Sequence, residues 1–421
     1  MKRYVSLILV LVLSTMMLFS ACEEKNVELA VPEFQDDQEI VIGAWSGSVT
    51  QWDQQQFSNL EAANINLLVA TSENYIQYNN DFFDRAYAAG VSVMPDSRQW
   101  NGQTPTYMEH SAFAGYCVWD EPASTAFEGL GEKKVLWDSV MGDKTFFINV
   151  FPGWAGSALG GSFKSYISNY IETVKPELLC FDHYPLMENS MGETVVRDTF
   201  FSDMDICSHY AKEANIPFWF TLLTSGHMTY VTPNAEEIRW QMAVGQAYGA
   251  TGLLHYVYGT HDGDYTAPID WDTQATTEVY ESMKAANAEV AAWDHIYMNY
   301  HWQGTANIGG NNNAVPSTGF QLCQFAVDPT QNTGITAIES TEDLLCGIFK
   351  DNSGAEGFML TNATNPAAGK NATVKLTLDG KYKGVLVIDC GKQTTMVLEK
   401  DVATIEIESS KGVFVIPLTA K

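Results

Sequence analysis

The chain has 421 residues, with 51 acidic and 23 basic side chains and a formal net charge of −28 at pH 7. Proteins bind nucleic acid and anionic surfaces through lysine and arginine, so this balance excludes nucleic acid as the main partner. Aromatic residues make up 12% of the chain, with 11 tryptophans. That content suits a large core, and it also suits a cleft whose rings stack on sugars.

Residues 1–22, MKRYVSLILVLVLSTMMLFSAC, have a basic start, an apolar stretch and small residues at the end. This pattern predicts a secretory signal peptide. The final LFSAC resembles the bacterial lipoprotein signal, and this resemblance implies that Cys22 becomes a lipidated N-terminus; an ordinary signal peptide cut nearby is the alternative. We therefore expect an exported protein, lipid-anchored to the bacterial outer membrane at its periplasmic face or at the cell surface.

Residues 23–38 are acidic and aperiodic, which predicts a flexible tether. Eight short apolar runs follow over residues 39–303, separated by amphipathic stretches that are typical of helices. The runs are EIVIGAWS (39–46), INLLVATS (65–72), VSVMPDSR (91–98), AGYCVWDEP (114–122), TFFINVFP (145–152), ELLCFDHYPL (177–186), PFWFTLLTSG (217–226) and TGLLHYVYGT (251–260).

Near-continuous apolar strands of this kind are buried on both faces, as in a parallel sheet covered by helices. Eight strand–helix units over residues 39–303 predict an α/β fold, a (β/α)₈ TIM barrel. A doubly wound open sheet is the competing architecture, but no glycine-rich phosphate loop follows the first run.

The C-terminal region, residues 304–421, has short alternating stretches separated by turn residues. This texture predicts a small all-β antiparallel sandwich without helices. The six cysteines after Cys22 are dispersed and include no C-x-x-C pair, so we expect no zinc site and no other metal site.

The ends of the predicted strands carry carboxylates and aromatic rings, and a barrel of this kind places its chemistry there. A glutamate at an apolar strand tip, such as Glu121, can have its pKa raised and act as a general acid. Because neighbours on a strand point to opposite sides, at most one of Asp120 and Glu121 is expected to face the barrel axis. Asp120-Glu121-Pro122 is alternatively a turn or helix-start signal.

An exported barrel with DEP at the end of strand four and a β-sandwich after it resembles the clan A glycoside hydrolases. Their fourth strand usually ends in Asn-Glu-Pro, so the resemblance implies that Glu121 is the acid/base and that Asp120 stands at the asparagine position. The segment GQAYGATGLLHYVYG similarly resembles the last strand–helix unit of these enzymes.

The same family has a glutamate nucleophile at the end of strand seven, where FWFTLLTSG has none. We expect the second carboxylate to be Asp182, or otherwise Asp96. A pairing of strands four and six also resembles retaining α-glycosidases, and in that case Asp120 is the candidate nucleophile. The catalytic candidates are therefore Glu121, Asp182 and Asp120.

These patterns predict a glycosidase that acts on an oligo- or polysaccharide and needs no cofactor. The missing strand-seven carboxylate keeps open a non-catalytic glycan-binding lipoprotein on a degenerate barrel, and an adhesin whose aromatic rim meets a protein is a weaker alternative. No protein partner is indicated. The expected substrate-binding residues are Trp45, Asp96, Arg98, Trp119, Trp154, His183, Tyr184, Tyr256 and Tyr258.

Overall fold

The computed structural model describes residues 27–35, 38–71, 77–260, 265–312 and 318–421. The predicted signal peptide and Cys22 lie outside these residues. Within them, no helix has both the length and the apolar character needed to cross a membrane.

Eight parallel strands form the central sheet, as the sequence predicts. They are β1 Val41–Trp45, β2 Leu67–Ala70, β3 Ser92–Pro95, β4 Gly115–Asp120, β5 Thr145–Val150, β6 Leu179–Asp182, β9 Phe218–Leu223 and β10 Gly252–Tyr256. A hairpin of β7 Leu186–Glu188 and β8 Thr194–Val196 stands between β6 and β9.

The strand order is β3-β2-β1-β10-β9-β6-β5-β4. Its two edge strands also meet, because the amide of Val93 donates to the carbonyl of Ala112 (2.7 Å) and that of Ser97 to Cys117 (2.8 Å). These contacts close the sheet into a barrel and confirm the predicted fold class.

Both faces of the barrel strands are buried. Leu67 and Val69 of β2 point into the barrel interior, whereas Leu68 between them packs against the outer helices. This alternation explains why each strand is apolar throughout its length.

Helices cover the outside of the barrel and connect its strands. They are α1 Gln54–Ala62, α2 Asn80–Ala88, α3 Phe127–Val140, α4 Phe163–Val174, α5 Phe200–Glu213, α6 Ala235–Ala247, α7 Glu278–Ala291 and α8 Asp294–Tyr297. Several begin at side-chain caps: Asn234 and Glu237 form a capping box at α6, and Asp53 accepts the amide of Gln56 at α1. Such caps satisfy amide groups that have no partner within the helix.

The C-terminal region forms two antiparallel sheets, in agreement with the predicted β-sandwich. A six-stranded sheet has the order β11-β13-β14-β19-β16-β17, and a three-stranded sheet has the order β12-β15-β18. The strands are β11 Tyr300–Ile308, β12 Ile335–Ser340, β13 Leu344–Asp351, β14 Glu356–Asn362, β15 Ala372–Leu378, β16 Gly384–Asp389, β17 Lys392–Val397, β18 Val402–Ile407 and β19 Gly412–Leu418. One short helix, α9 Thr318–Leu322, departs from the expectation of a region without helices.

The central strands of the six-stranded sheet, β13, β14, β19 and β16, are buried on both sides. Cys346 and Ile348 of β13 pack toward the three-stranded sheet, whereas Leu345 and Phe349 join the core beneath the barrel helices. The indole of Trp240 on α6 donates to the carbonyl of Asn362 (3.1 Å) across this junction. The sheet therefore completes the outer layer of the barrel.

Part of the predicted tether is bound rather than free. The amide of Ala30 donates to the carbonyl of Thr419 (3.0 Å), and that of Lys421 donates to the carbonyl of Glu28 (2.9 Å). Leu29 also packs against the main core. Residues 28–30 thus pair with the residues that follow β19, because an exposed strand end has unpaired backbone groups that can form hydrogen bonds with another segment.

Candidate active site

A cavity of about 340 Å³ opens at the carboxyl ends of the barrel strands. Three carboxylates, one amide and several aromatic rings form its wall. The described residues that line it are Trp45, Asp120, Glu121, Asn149, Trp154, Asp182, Tyr184, His227, Met228, Thr229, Tyr230, Tyr256 and Tyr265.

The backbone bends at Glu121, immediately after β4. Glu121 has a φ of +51°, in the left-handed region that few residues other than glycine adopt. Its amide donates to the carbonyl of Asn149 at 2.7 Å, which holds the bend against β5. The bend ends the strict alternation of a strand, so Asp120 and Glu121 both line the cavity. Strand alternation predicts that at most one of them faces the barrel axis fully, and the bend explains why both nevertheless reach the cavity.

Asp182 ends β6 and is 6% exposed. It lines the cavity together with Glu121. Two buried carboxyl groups that interact electrostatically do not both ionise easily, so the protonation of each depends on that of the other.

Burial raises the pKa of Glu121 to about 7, and the charge of Asp120 adds to this effect. Burial also raises the pKa of Asp182 well above its usual range, with further contributions from the charges of Glu121 and Asp120. The mutual repulsion of carboxylates in a site with little water explains both directions.

Asp120 is held by Asn149 at the end of β5. The Asn149 side-chain amide donates to Asp120 Oδ1 at 3.2 Å. Burial raises the pKa of Asp120, while this hydrogen bond and the charge of Arg98 oppose the rise. Asn149 therefore fixes the orientation of a carboxylate that no lysine or arginine of the described residues contacts through a hydrogen bond.

Aromatic rings form the walls of the cavity. Tyr184 and Tyr256 stack with ring centroids 5.2 Å apart, and His227 stacks on Tyr265 at 4.9 Å. Trp154 lies at the mouth and is 43% exposed. Such faces pack against the apolar sides of sugar rings and other flat ligands.

The hairpin of β7 and β8 places one of these rings. The amide of Glu188 donates to the carbonyl of Thr229 (2.9 Å), and that of Val231 donates to Leu186 (3.3 Å). The loop between β9 and α6 is thereby fixed beside the hairpin, and its Tyr230 packs edge-on against Tyr184 at 5.5 Å.

Seven predicted site residues meet in this cavity. They are Trp45, Asp120, Glu121, Trp154, Asp182, Tyr184 and Tyr256. Asp96 and Arg98 do not line it; they form an ion pair (3.3 Å) after β3, and Arg98 is exposed. Their predicted contact with substrate is not supported by this placement.

Three further predicted residues point away from the cavity. His183 is fully buried behind β6, with Nε2 3.2 Å from Thr199 Oγ1 and 3.4 Å from Asp203 Oδ2. Strand alternation explains this, because Asp182 points inward and its neighbour must point toward α5. Tyr258 is buried beneath α1, where its hydroxyl donates to Gln56 (3.3 Å), and Trp119 packs against the main core. Their expected role in substrate binding is therefore corrected.

Other lining residues were not among the predicted site residues. The sequence could have identified Asn149 as a site residue, since it stands near the end of an apolar strand. No sequence pattern identifies Tyr230 and Tyr265, because loops beyond the strand ends bring them to the cavity. His227 is buried, and this burial lowers its pKa, so its ring is neutral at pH 7.

The sequence matches no protein-family model and no curated protein. Among solved structures, it resembles the family 51 α-L-arabinofuranosidase AbfB of Bifidobacterium longum, with 8% identity, a TM-score of 0.46 and coverage of 94% of this chain and 99% of that one. It also resembles a GH27 β-L-arabinopyranosidase of Geobacillus stearothermophilus, with 11% identity, a TM-score of 0.44 and coverage of 90% and 96%.

An HpcH/HpaI aldolase of Desulfitobacterium hafniense is a further match, at 13% identity and a TM-score of 0.34, covering 52% of this chain and 86% of that one. Identities and TM-scores this low carry no information about activity. The chemistry must therefore be inferred from the cavity itself.

The cavity has the groups required for acid–base chemistry. Glu121 can hold a proton near neutral pH, and Asp182 or Asp120 can act as a base or nucleophile once ionised. Within the described part of the chain, no three histidine, cysteine or acidic side chains are arranged to hold a metal ion.

Proposed function

We propose that the protein is a glycoside hydrolase that acts on an oligo- or polysaccharide. The observation that carries this proposal is that the carboxyl groups of Glu121, Asp182 and Asp120 line one aromatic-walled cavity. One protonated and one ionised carboxyl group, facing the same bound molecule, are the parts that glycosidic bond hydrolysis requires.

In this mechanism Glu121 donates its proton to the leaving glycosidic oxygen. Asp182 then activates a water molecule or attacks the anomeric carbon. The separation of the two carboxyl groups decides the stereochemistry, since retaining enzymes hold them roughly 5–5.5 Å apart and inverting ones roughly 6.5–9.5 Å.

Asp120 is the alternative partner for Glu121. It lines the same cavity, and its bond to Asn149 fixes its orientation. A comparison of Asp120→Asn with Asp182→Asn separates the two assignments, since loss of the nucleophile or base lowers kcat far more than loss of a neighbouring charge.

The test is turnover of a panel of nitrophenyl glycosides and plant and bacterial polysaccharides by the purified protein. Glu121→Gln should lower kcat by at least 100-fold on the best substrate, because general acid catalysis contributes about 10²–10⁴-fold. The matched control is Asp81→Asn, on an exposed position of α2. A loss below about tenfold for Glu121→Gln would contradict its catalytic assignment.

A non-catalytic glycan-binding protein is the second candidate. It is favoured by the end of β9, where Thr224 bonds to His255 Nδ1 (2.7 Å) and no carboxylate faces the cavity. This candidate predicts saccharide binding without products, and binding that survives Glu121→Gln.

We also propose that the protein is exported and anchored to the outer membrane through lipidated Cys22. The support is the LFSAC pattern at residues 18–22. Expression of the full chain with Cys22→Ala should move the protein from the membrane fraction to the soluble periplasmic fraction. Unchanged membrane association would contradict the anchor.

A further inference from the structure

The charged groups that line the cavity are of one sign. Its lining includes three carboxyl groups, and none of the described lining residues is lysine or arginine. Arg98 is paired with Asp96, and Arg197 lies behind the wall, over the ring of Trp154 (4.8 Å) and in a hydrogen bond to the Tyr230 hydroxyl (3.2 Å). An anionic ligand would therefore meet buried carboxylates without a lining cation to balance its charge.

One hydrogen-bond donor in the wall is unused. The indole Nε1 of Trp45 is buried and has no acceptor among the described residues. Trp45 is 3% exposed, ends β1 and lines the same cavity as Asp182. A buried donor without an acceptor costs roughly 1–3 kcal/mol, so a ligand oxygen that accepts this bond is favoured.

Asp182 presents the complementary group. Its Oδ1 accepts no hydrogen bond from any described N–H or O–H donor, and the residue is 6% exposed. When Asp182 is ionised, this oxygen needs a donor. A hydroxyl group both accepts and donates, so a hydroxyl-rich ring satisfies Trp45 and Asp182 together.

We propose that the cavity selects an uncharged sugar and rejects uronic acids and sulfated sugars, with Trp45 Nε1 as a donor to an oxygen of the bound ring. The proposal names the substrate class of the hydrolase proposed above, and for cleavage it rests on that function. The binding preference itself requires only the cavity and its charges.

The first test uses the wild-type protein and three pairs of sugars: glucose and glucuronic acid, galactose and galacturonic acid, mannose and mannuronic acid. Each pair differs by one carboxylate. Calorimetric titration at pH 7.5 should give at least tenfold tighter binding for the neutral member of the pair that binds best. Equal or tighter binding of its acid partner, or binding of none of the three neutral sugars, would overturn the proposal.

The second test uses the Trp45→Phe variant, which keeps an aromatic ring and removes the N–H group. We expect about tenfold weaker binding of the preferred neutral sugar, with a melting temperature within a few degrees of wild type. Asp81→Asn is the control. Unchanged affinity in a folded Trp45→Phe protein would overturn the role of Trp45.

The outcomes separate this proposal from the proposed hydrolase activity. Tight binding of a neutral sugar without any product supports the charge selection and contradicts hydrolysis. Turnover of a uronide or a sulfated glycoside, at a kcat/KM equal to that of its neutral counterpart, contradicts the charge selection and supports hydrolysis.

Discussion

The side chains of Glu121 and Asp182 line one cavity although their strands, β4 and β6, are separated by β5. The left-handed bend at Glu121 makes this arrangement possible, because it turns the side chain toward the same cavity as Asp120. Because burial raises the pKa of Glu121 to about 7, the folded protein retains a proton that the unfolded chain releases at lower pH.

The retained proton gives stability an unusual pH dependence. The folded-state pKa of Glu121 is raised to about 7 from an ordinary value of 4.5, so its contribution is fully present below about pH 4.5 and is lost as the pH rises through 7. Glu121→Gln removes this titration. At pH 8 the variant should be about 3 kcal/mol more stable than wild type, and near pH 4 the two should be equal.

Urea unfolding at both pH values measures this difference, with Asp81→Asn as the control for a lost surface charge. If the difference in unfolding free energy between Glu121→Gln and wild type is the same at pH 4 and at pH 8, Glu121 does not hold the proton.

The pH profile of activity should have an alkaline limb that belongs to Glu121. The acid must be protonated, so kcat/KM is expected to fall above about pH 7. The charge of Asp120 is the second cause of this raised pKa, after burial. Asp120→Asn should therefore move the limb to lower pH, by less than a unit because burial remains. If the alkaline limb stays at the same pH in Asp120→Asn, the charge of Asp120 does not contribute to the raised pKa of Glu121.

Much of the barrel could be predicted because its strands are buried on both faces and therefore read as apolar runs. Strand ends then located Asp120, Glu121 and Asp182, since parallel strands bring their carboxyl ends to one rim. The same pattern did not show which neighbours face inward. His183 and Tyr258 follow inward-facing positions and point to the helices instead, because a shift of one residue reverses the face.

Other features depend on contacts between distant segments. The bend at Glu121 needs the carbonyl of Asn149, 28 residues further along, and Tyr230 reaches the cavity through the hairpin of β7 and β8. The six-stranded sheet was expected to have an alternating pattern, yet both faces of its central strands are buried against other layers. Local periodicity carries no information about a covering layer that is distant in sequence.

Asp203 is expected to position the loop that carries Trp154. Its Oδ2 accepts the amide of Gly153 (2.9 Å), and a side chain at Gly153 would place Cβ 2.5 Å from Asp203 Oδ1. Asp203→Asn exchanges one oxygen for a donor and should weaken this bond. We expect KM to rise about three- to tenfold with kcat nearly unchanged, since the loop contributes to binding and not to proton transfer.

Hydrogen exchange distinguishes positioning from a general loss of stability. Asp203→Asn should accelerate exchange at the amide of Gly153 and its neighbours while the barrel strands keep their protection. Faster exchange throughout the protein, or none at residues 151–156, would contradict a local positioning role.

Phe414 should be a main determinant of the attachment of the six-stranded sheet to the barrel. This fully buried ring of β19 packs against Trp293 (5.7 Å) and Tyr300 (5.1 Å). Phe414→Ala leaves a large cavity between the two layers and should cost about 3–5 kcal/mol of unfolding free energy. The matched control, Val397→Ala, changes a side chain of the same region that is 55% exposed and should cost less than about 0.5 kcal/mol.

Because this sheet covers α6, the barrel and the sheets should unfold in a single transition in wild type, measured by calorimetry. Two separate transitions, or a cost for Phe414→Ala as small as that for Val397→Ala, would show that the barrel is stable without its covering sheet.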